Sequence, residues 1–317
     1  MSATSGRGNS PTWIIAIPAI ELAVEIYNDI PSVREYVAGR RRLGQRIVVV
    51  PTMGALHDGH GACVEVGRAV SGGCLIVSIF VNRAQFAPGE DLDSYPRTRE
   101  ADIDSCERWG VDAVFAPSDT EIYPSAQHTW VEVDGLTEPL CGRFRPGHFR
   151  GVTTVVNKLF NVLQPDVAVF GQKDAQQALV IREMVEQLNM PVELKLAATA
   201  RESDGLARSS RNAYLDPVVR GRAASIHSAL ELARERIQSG ERNPGAVAEV
   251  VGAHMRDGGI DEVEYAELRG ATDLCPLEKI AGKVILAIAV KVGKTRLIDN
   301  AVWHVGDDGT VSDEPLF

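Results

Sequence analysis

The sequence predicts an α/β protein in which a doubly wound parallel sheet is followed by a smaller α+β domain. Short apolar runs rich in β-branched residues recur along the first two thirds of the chain, and longer segments with helical spacing separate them. Such strand–helix–strand repetition is typical of parallel strands joined by right-handed crossovers. This regularity is lost after about Leu196, which predicts a separate second domain.

Length and composition agree with this architecture. The chain has 317 residues, enough for about two domains, and its 44% hydrophobic content excludes a disordered chain. With 33 Lys and Arg against 43 Asp and Glu, the net charge is −10, which argues against partners such as nucleic acid or anionic membranes. Five scattered cysteines without a C-x-x-C motif favour free thiols and a cytoplasmic location.

No apolar stretch of the sequence is long enough for a membrane span. Residues 1–12 are expected to form a flexible leader without an export signal. The first structured domain is then predicted to cover residues 13–198 and the second to cover residues 199–317.

Four apolar runs of the first domain are predicted to be strands, and the first of them is expected to end at Pro51. The predicted strands are Ile47–Val50, Leu75–Val81, Asp112–Phe115 and Asp166–Phe170, and the predicted helices are Gly59–Val70, Arg97–Trp109 and Ala175–Leu188. The segment Gly151–Leu163 has a strand-like content of Val and Thr, but its length and apolar spacing favour a helix.

The second domain opens with a polar, turn-rich stretch and continues with two amphipathic helices and three strands. The polar stretch is Arg201–Asp216, the helices are Pro217–Gln238 and Pro244–Met255, and the strands are Val263–Leu268, Val284–Val290 and Thr295–Ile298.

The first motif, PTMGALHDGH, runs from Pro51 to His60, between a predicted strand and a predicted helix. Ligands of open parallel sheets bind at the carboxyl ends of strands, and the free N–H groups of a helix start attract phosphate. His57 and His60 are therefore candidate donors to phosphoryl oxygens. The alternative is that one histidine caps the helix and the other is exposed. The spacing differs from the H-E-x-x-H of zinc proteases.

The second motif follows the next strand, so it is expected to border the same crevice. Asn82 and Gln85 offer amide groups suited to the hydroxyl and carboxylate of a small polar substrate, with ordinary turn chemistry as the alternative. Three acidic residues nearby are predicted to form a solvated loop rather than a metal site: Glu90, Asp91 and Asp93.

The third motif follows the strand Asp166–Phe170. Lys173 is predicted to direct its ammonium at a nucleotide phosphate. Asp174 is a candidate for a ribose hydroxyl or for water-mediated contact with Mg²⁺, and Gln177 lies one helical turn after Lys173. The alternative is a helix cap at Asp174 with Lys173 on the surface.

The fourth motif, in the polar stretch, combines Ser209, Ser210 and Arg211, a phosphate-binding set of low specificity by itself. The basic run Arg143–Arg150 stands out in an acidic chain and has the same interpretation, with a solvated loop as its alternative. Neither a dinucleotide G-x-G-x-x-G nor a P-loop motif occurs. A nucleotide site built from His, Lys, Ser and Arg suits adenylyl transfer, where an acid's carboxylate attacks the α-phosphorus of ATP.

Taken together, the motifs resemble the pantoate–β-alanine ligase (pantothenate synthetase) family. PTMGALHDGH resembles the family's HIGH-type nucleotide motif, and FVNRAQFAPGEDLDSYPRT resembles its pantoate loop. Three further blocks are similar to the family: FRPGHFRGVTTVVNKLFNVLQPDVAVFGQKDAQQ, DGLARSSRNAYL and VGKTRLIDN. The resemblance runs from about Ile47 to Asn300. It implies a Rossmann-like domain of the HIGH-type nucleotidyltransferase superfamily, a smaller α+β lid domain and a homodimer.

The resemblance also implies roles for individual residues. The phosphates and the catalytic groups around them would be served by His57, His60, Lys173, Ser209, Ser210 and Arg211. The rest of the ATP site would comprise Met53, Gly171 and, at the ribose, Asp174. Pantoate would bind Gln85 and Gln177, beside Met53, with Asn82 closing over the reacting group. Mg²⁺ would accompany ATP, and its ligands are not specified.

The implied reaction joins pantoate to β-alanine in two steps. Pantoate and ATP give pantoyl adenylate and pyrophosphate, and the amine of β-alanine then displaces AMP. Two other hypotheses stay open: a nucleotidyltransferase that moves AMP onto a phosphate acceptor, and a non-catalytic nucleotide-binding relative.

The chain departs from the family's usual pattern at five positions, none of which carries a group assigned to the chemistry. Arg83 stands in place of a proline, Ala87 of a glycine, Arg208 of an apolar residue, Asp58 of a glutamate and Gly61 of a leucine.

Overall fold

The computed structural model describes residues 23–317, and the expected leader at residues 1–12 lies outside them. A six-stranded sheet occupies the first part of this range and a four-stranded sheet the second. The first part contains β1 (Glu25–Tyr27), α1 (Ile30–Arg42), β2 (Arg46–Thr52), α2 (Asp58–Arg68), β3 (Gly73–Ile79), α3 (Arg99–Arg108), β4 (Ala113–Phe115), α4 (Asp119–Ile122), α5 (Cys141–Phe144), α6 (His148–Leu163), β5 (Val167–Gly171), α7 (Ala175–Gln187) and β6 (Glu193–Ala197).

The six strands lie in the order β1-β4-β3-β2-β5-β6, and every neighbouring pair is parallel. Successive residues of β2 face opposite sides. Ile47 and Val49 pack in a core with α1, α6 and α7, whereas Val48 and Val50 pack in a core with α2 and α3. Helices therefore cover both faces, which confirms the predicted doubly wound α/β sheet.

The prediction that Pro51 ends the first strand is wrong. β2 continues to Thr52, and Pro51 is in register with Ser78 of β3. The peptide of Pro51 faces the β5 side, where β2 pairs only through Val48 and Val49. The missing N–H of proline therefore removes no ladder bond, which is the condition for a proline within a sheet.

Several elements have no counterpart in the sequence prediction: β1, α1, α4, α5 and β6. β1 and β6 are the two edge strands, and β6 carries Glu193 and Lys195. Charged side chains are common on edge strands because one side of the strand faces water, and they obscure the apolar pattern. The segment Gly151–Leu163, for which a helix was favoured over a strand, is helical and forms most of α6. This helix is buried along most of its length.

The second part comprises three helices and an antiparallel sheet in the order β10-β9-β8-β7. These elements are α8 (Pro217–Ala223), α9 (Ser225–Gln238), α10 (Pro244–Asp257), β7 (Glu262–Gly270), β8 (Gly282–Val292), β9 (Thr295–Val305) and β10 (Val311–Asp313). The α+β composition is confirmed. β6 ends just before residue 198, and on this basis we propose the domain boundary between residues 198 and 199.

The second part differs from the predictions in an interrupted helix, a longer strand and a fourth strand, β10, that was not predicted. The helix expected over residues 217–238 is interrupted after Ala223, where the hydroxyl of Ser225 donates to the carbonyl of Arg222 at 2.7 Å and competes with the helical pattern. The strand expected to end at Ile298 continues to Val305. Asp299 and Asn300 end the apolar run in the sequence, but both are buried with polar partners.

The four-stranded sheet connects the two parts. One face packs on α9 and α10, and the other contributes Ile285 and Val302 to a core shared with Leu179 of α7. The segments that follow β3 and β5 therefore line a cavity together with the second sheet. None of the helices within residues 23–317 has the length and apolarity that a membrane crossing requires.

Leu163, at the end of α6, provides a test of the core that α1, α6 and α7 form with the first sheet. Its side chain is 0% exposed, so Leu163→Ala is expected to lower the free energy of unfolding by about 2–5 kcal/mol. Leu43→Ala is the matched control because Leu43 is 74% exposed, and a change within about 0.5 kcal/mol is expected there. Urea denaturation of both variants makes the comparison, and equal losses would contradict this assignment of the core.

Candidate active site

Two histidines cap the helix that follows β2. The N–H of Gly59 donates to Nδ1 of His57 at 3.1 Å, and the N–H of His57 donates to Nδ1 of His60 at 3.2 Å. Because each Nδ1 accepts a hydrogen bond, each neutral ring carries its proton on Nε2. The alternative of one capping and one exposed histidine is therefore wrong in its second half, because both rings take part in the cap and neither is exposed. Each ring still keeps one N–H for a ligand.

Both imidazoles are held in the neutral form. Burial lowers the pKa of His57 to about 4, with the positive charges of Lys173 and Arg208 contributing. Burial, together with His57 and Lys173, lowers the pKa of His60 to about 3. At neutral pH the two rings are therefore uncharged hydrogen-bond donors whose orientation is already fixed.

The loop before the histidines is held by Asp102, a residue to which the sequence analysis gave no role. Its buried carboxylate accepts from the N–H groups of Ala55 at 3.0 Å and Leu56 at 2.8 Å. Ala55 has a positive φ of +50°, which is unfavourable for a residue with a Cβ, and the hydrogen bonds to Asp102 stabilise the turn in this conformation. The available signal was a carboxylate near the start of the predicted helix Arg97–Trp109.

At the end of β3, Asn82 is fully occupied by protein partners. Its Nδ2 donates to the carbonyl of Gly151 and to Oε1 of Gln85, both at 3.0 Å. Its Oδ1 accepts from the hydroxyl of Tyr123 at 2.7 Å and from the N–H of Ala84 at 3.3 Å. The geometry therefore makes Asn82 a support for Gln85.

Gln85 retains capacity for a ligand. Its Nε2 donates to the sulfur of Met53 at 3.1 Å, and a thioether is a weak acceptor that a carboxylate can displace. The main-chain carbonyl of Gln85 accepts from Nδ1 of His148 at 2.8 Å, and Nε2 of His148 accepts from Arg145 at 3.2 Å. This pair of contacts requires a neutral His148, and burial lowers its pKa to about 3.

Two carboxylates of the acidic loop form ion pairs, one with Arg145 of the basic run and one with Arg211. Arg145 binds Glu90 at 2.8 Å, and Arg211 binds Asp91 through two hydrogen bonds at 2.8 and 2.9 Å. The prediction of a solvated acidic loop is therefore wrong for Glu90 and Asp91, because both carboxylates neutralise arginines that line the cavity. It holds for Asp93, which is exposed. Arg143 and Arg150 also pair with carboxylates, at Glu267 and Glu132.

The loop after β5 is supported by the second sheet. Nδ2 of Asn300 on β9 donates to the carbonyls of Gln172 at 3.0 Å and Lys173 at 2.8 Å. Gly171 ends β5, and the side chains of Lys173, Asp174 and Gln177 line the cavity that follows. Asn300 lies beyond the predicted strand Thr295–Ile298, and its role was not predicted because a contact over 127 residues leaves no local signal.

The Ser-Ser-Arg motif joins the histidine loop to the rest of the site. The hydroxyl of Ser210 donates to the carbonyl of Ala55 at 3.0 Å, and Ser209 caps the short turn that begins at Ser210. The stretch preceding the motif is tied to β9, since Arg201 binds the buried carboxylate of Asp299 at 2.6 and 3.1 Å. These contacts place the motif opposite the strand ends.

The predicted residues meet at two adjoining cavities of about 230 and 1020 Å³. The smaller is lined by Met53, His57, His60, Asn82, Gln85, Gly171, Lys173, Asp174, Gln177, Ser209, Ser210 and Arg211. Both cavities share Arg145, His148 and Lys173, so they adjoin each other, and the larger extends along the second sheet to Arg296. No group of three or more potential metal-ligating side chains occurs within residues 23–317.

Known proteins match this chain over most of its length. The family model for pantoate-beta-alanine ligase matches residues 25–302. A pantothenate synthetase from Moorella thermoacetica is 51% identical over 284 residues, which is 90% of this chain and 100% of the relative. The chain belongs to the pantoate-beta-alanine ligase family.

Solved structures of the family have the same fold. The pantothenate synthetase of Thermus thermophilus superposes with a TM-score of 0.83 at 39% identity, covering 87% of this chain and 98% of that protein. A pantoate-beta-alanine ligase from Francisella tularensis, complexed with beta-gamma ATP and beta-alanine, gives a TM-score of 0.73 at 30% identity. The match covers 88% of this chain and 97% of the Francisella chain.

Most departures from the family pattern have a local explanation. Arg83 pairs with Asp119 at 2.8 Å, and Arg208 pairs with Asp58 at 3.1 Å. A Cβ on Gly61 would lie 3.1 Å from the ring of Trp109, which fills the space of a larger side chain. Ala87 is absent from the residues with positive φ, so its backbone does not require glycine.

The neutral state of His148 predicts a pH dependence of stability. Its pKa is about 3 in the folded protein and about 6.5 when unfolded, so the unfolded chain binds one more proton between these values. Stability is therefore expected to fall as the pH drops below 6.5. The contribution of this ring is about 1.4 kcal/mol per pH unit.

Urea denaturation at several pH values between 4 and 6.5 measures this slope in the wild type and in His148→Gln. The variant is expected to have the shallower slope, whatever its absolute stability. Equal slopes would show that the ring is not held neutral in the folded protein.

Proposed function

We propose that the chain catalyses the ATP-dependent condensation of pantoate with β-alanine to pantothenate, AMP and pyrophosphate, through a pantoyl adenylate. The proposal depends on one observation. Groups that can donate hydrogen bonds to phosphate (His57, His60 and Lys173) and amides that can bind a carboxylate (Gln85 and Gln177) line the same cavity of about 230 Å³. Membership of the pantoate-beta-alanine ligase family supports it. The Francisella relative, complexed with beta-gamma ATP and beta-alanine, supports the choice of ligands.

In the first step the pantoate carboxylate attacks the α-phosphorus of ATP, and the bond to the β-phosphate breaks to release pyrophosphate. The Nε2–H groups of His57 and His60 and the ammonium of Lys173 donate to the phosphate oxygens. Donors already fixed in a partly dry cavity stabilise the developing charge without reorganising. Because the imidazoles are neutral before ATP binds, they act here as hydrogen-bond donors and carry no catalytic proton.

Gln85 and Gln177 are proposed to bind the hydroxyl and carboxylate of pantoate. Asn82, whose amide is satisfied by protein partners, positions Gln85 by holding its Oε1, so that Nε2 points to the ligand and to Met53. This assigns Asn82 a supporting role instead of the direct contact expected from the resemblance. Tyr123 and Gly151 hold Asn82 in turn.

In the second step the β-alanine amine attacks the acyl carbon of pantoyl adenylate, and AMP leaves. The larger cavity of about 1020 Å³ adjoins the reacting groups and offers the path for β-alanine. An acyl adenylate is a mixed anhydride, so a site walled by the second sheet limits its hydrolysis.

The remaining predicted residues are assigned to the nucleotide. Ser209, Ser210 and Arg211 are proposed to contact phosphates, with Arg211 exchanging Asp91 for a phosphate oxygen. Asp174, exposed at the cavity, is assigned to the ribose. Mg²⁺ is proposed to enter as part of the MgATP substrate, because nucleotide-bound Mg²⁺ commonly uses phosphate oxygens and few protein ligands.

The two alternative hypotheses fit less well. Transfer of AMP to a phosphate acceptor would need a cation available beside Gln85, and the arginine there, Arg145, is paired with Glu90. A non-catalytic relative would be expected to lack groups assigned to the chemistry, and each is present. A homodimer and a cytoplasmic location remain predictions; the five free cysteines support the second.

The proposed function is tested by mixing the protein with MgATP and pantoate alone. Mass spectrometry is expected to detect pantoyl adenylate, and adding β-alanine is expected to convert it to pantothenate and AMP. Loss of one transition-state donor in His57→Ala is expected to lower kcat about 100- to 1000-fold. His304→Ala, an exposed histidine on β9, is the control and is expected to keep full activity.

Two results would contradict the proposal. ATP binding without pantoate-dependent pyrophosphate release would favour the non-catalytic relative. Appearance of AMP in a product with a phosphate acceptor would favour the nucleotidyltransferase.

Gly151 tests the pantoate side of the site. A Cβ there would lie 2.3 Å from the carbonyl oxygen of Ala84 and 2.6 Å from the nitrogen of Gln85, so Gly151→Ala must displace the Gln85 turn. We expect kcat/KM for pantoate to fall about 10- to 100-fold, with little change in the KM for ATP. Gly221→Ala is the matched control, since nothing lies within 4 Å of its Cβ position. Steady-state kinetics measure both, and a parallel loss for ATP would contradict the assignment.

A further inference from the structure

Two residues that depart from the family pattern contact each other at the edge of the nucleotide cavity. Nη2 of Arg208 lies 3.1 Å from Oδ2 of Asp58. Asp58 is the first residue of α2, directly after His57, and Arg208 directly precedes Ser209. The pair therefore joins two motifs that are 150 residues apart in sequence.

Arg208 also lies within reach of the phosphate donors. It lines the cavity of about 230 Å³ together with His57 and Lys173. Its Cβ lies 3.8 Å from the Cβ position of Gly59, so its main chain runs beside the start of α2. The positive charge of Arg208 also contributes to the lowered pKa of His57, behind burial and Lys173.

The carboxylate partner of Arg208 holds it weakly. The side chain of Asp58 is 69% exposed and that of Arg208 is 37% exposed. Exposed ion pairs contribute about 0–1 kcal/mol because water and salt screen them. A guanidinium can instead make two charge-assisted hydrogen bonds to a phosphate. A triphosphate in the cavity can therefore compete successfully with Asp58.

We propose that Arg208 is an additional phosphate-binding residue of this enzyme, and that Asp58 competes with the phosphates of ATP for its guanidinium. Asp58 thus weakens nucleotide binding by occupying the guanidinium of Arg208 at the edge of the cavity, and the same exchange assists the departure of pyrophosphate. The inference rests on the proposed function for the identity of the anion, a polyphosphate. The contact with Asp58 and the position at the cavity are independent of that identity.

The two partners are expected to have opposite effects when substituted. Arg208→Met removes the cation and is expected to weaken binding of MgATP about tenfold, which is the lower part of the range for a hydrogen bond to a charged group. Asp58→Asn frees the guanidinium and is expected to strengthen binding about two- to fivefold. Isothermal titration calorimetry with a non-hydrolysable MgATP analogue and with pyrophosphate measures both.

The double variant separates release of Arg208 from simple removal of a nearby negative charge. If Asp58 acts through Arg208, the gain from Asp58→Asn disappears in the Arg208→Met background. Arg234→Met is the matched control, because Arg234 pairs with Asp313 at 3.0 Å on an exposed surface outside both cavities. No change in nucleotide affinity is expected there, and melting curves verify that each variant is folded.

Three outcomes would overturn the inference. Equal weakening by Arg208→Met and Asp58→Asn would make the pair a structural tether. Unchanged affinity in Arg208→Met would show that the guanidinium does not reach the phosphates. A gain from Asp58→Asn that persists in the double variant would assign the effect to the carboxylate alone. Absence of pantoate-dependent pyrophosphate release in the wild type would refute the proposed function, while the binding comparison would still decide the role of Arg208.

Discussion

The parallel pairing of β2 with β3 on one side and β5 on the other determines where the polar groups of the cavity stand. Parallel strands end at the same edge of a sheet, so the three loops that follow them meet there. From β2 the chain adds β3 and β4 on one side, and it then returns to add β5 and β6 on the other side of β2. The loops that follow β2 and β5 therefore diverge and leave the crevice that His60 and Lys173 line. If one strand shifted its register by a residue, the side chains that pack in one core would turn to the other face of the sheet.

The site handles charge by two different means. His57, His60 and His148 are neutral because burial opposes protonation, so they contribute oriented N–H groups without adding charge. The arginines are instead neutralised by carboxylates, as in the pairs of Arg211 with Asp91 and Arg145 with Glu90. An acidic protein can therefore accept a polyanionic nucleotide, since a phosphate that takes over an arginine meets a cation already positioned in the cavity.

The second sheet contributes to the site without providing its main reactive groups. Asn300 holds the main chain at Lys173, and Asp299 holds the stretch that leads to the Ser-Ser-Arg motif. The other face of this sheet packs on α7, so a displacement of the sheet would move Lys173 and the serines together. Arg83 and Arg208, where the resemblance implied a proline and an apolar residue, each pair with a carboxylate.

The sequence alone determined the fold class, the buried strands and many of the polar residues that line the smaller cavity. Strand periodicity and the motifs after strands are local features, so they are visible in consecutive residues. Only the tertiary structure decided that Asp102 holds the histidine loop, that Asn82 is saturated by Tyr123 and Gly151, and that Asp91 pairs with Arg211. These contacts join residues about 40 to 120 positions apart. The sequence shows which side chains can form a hydrogen bond or an ion pair, but packing alone decides which of them meet.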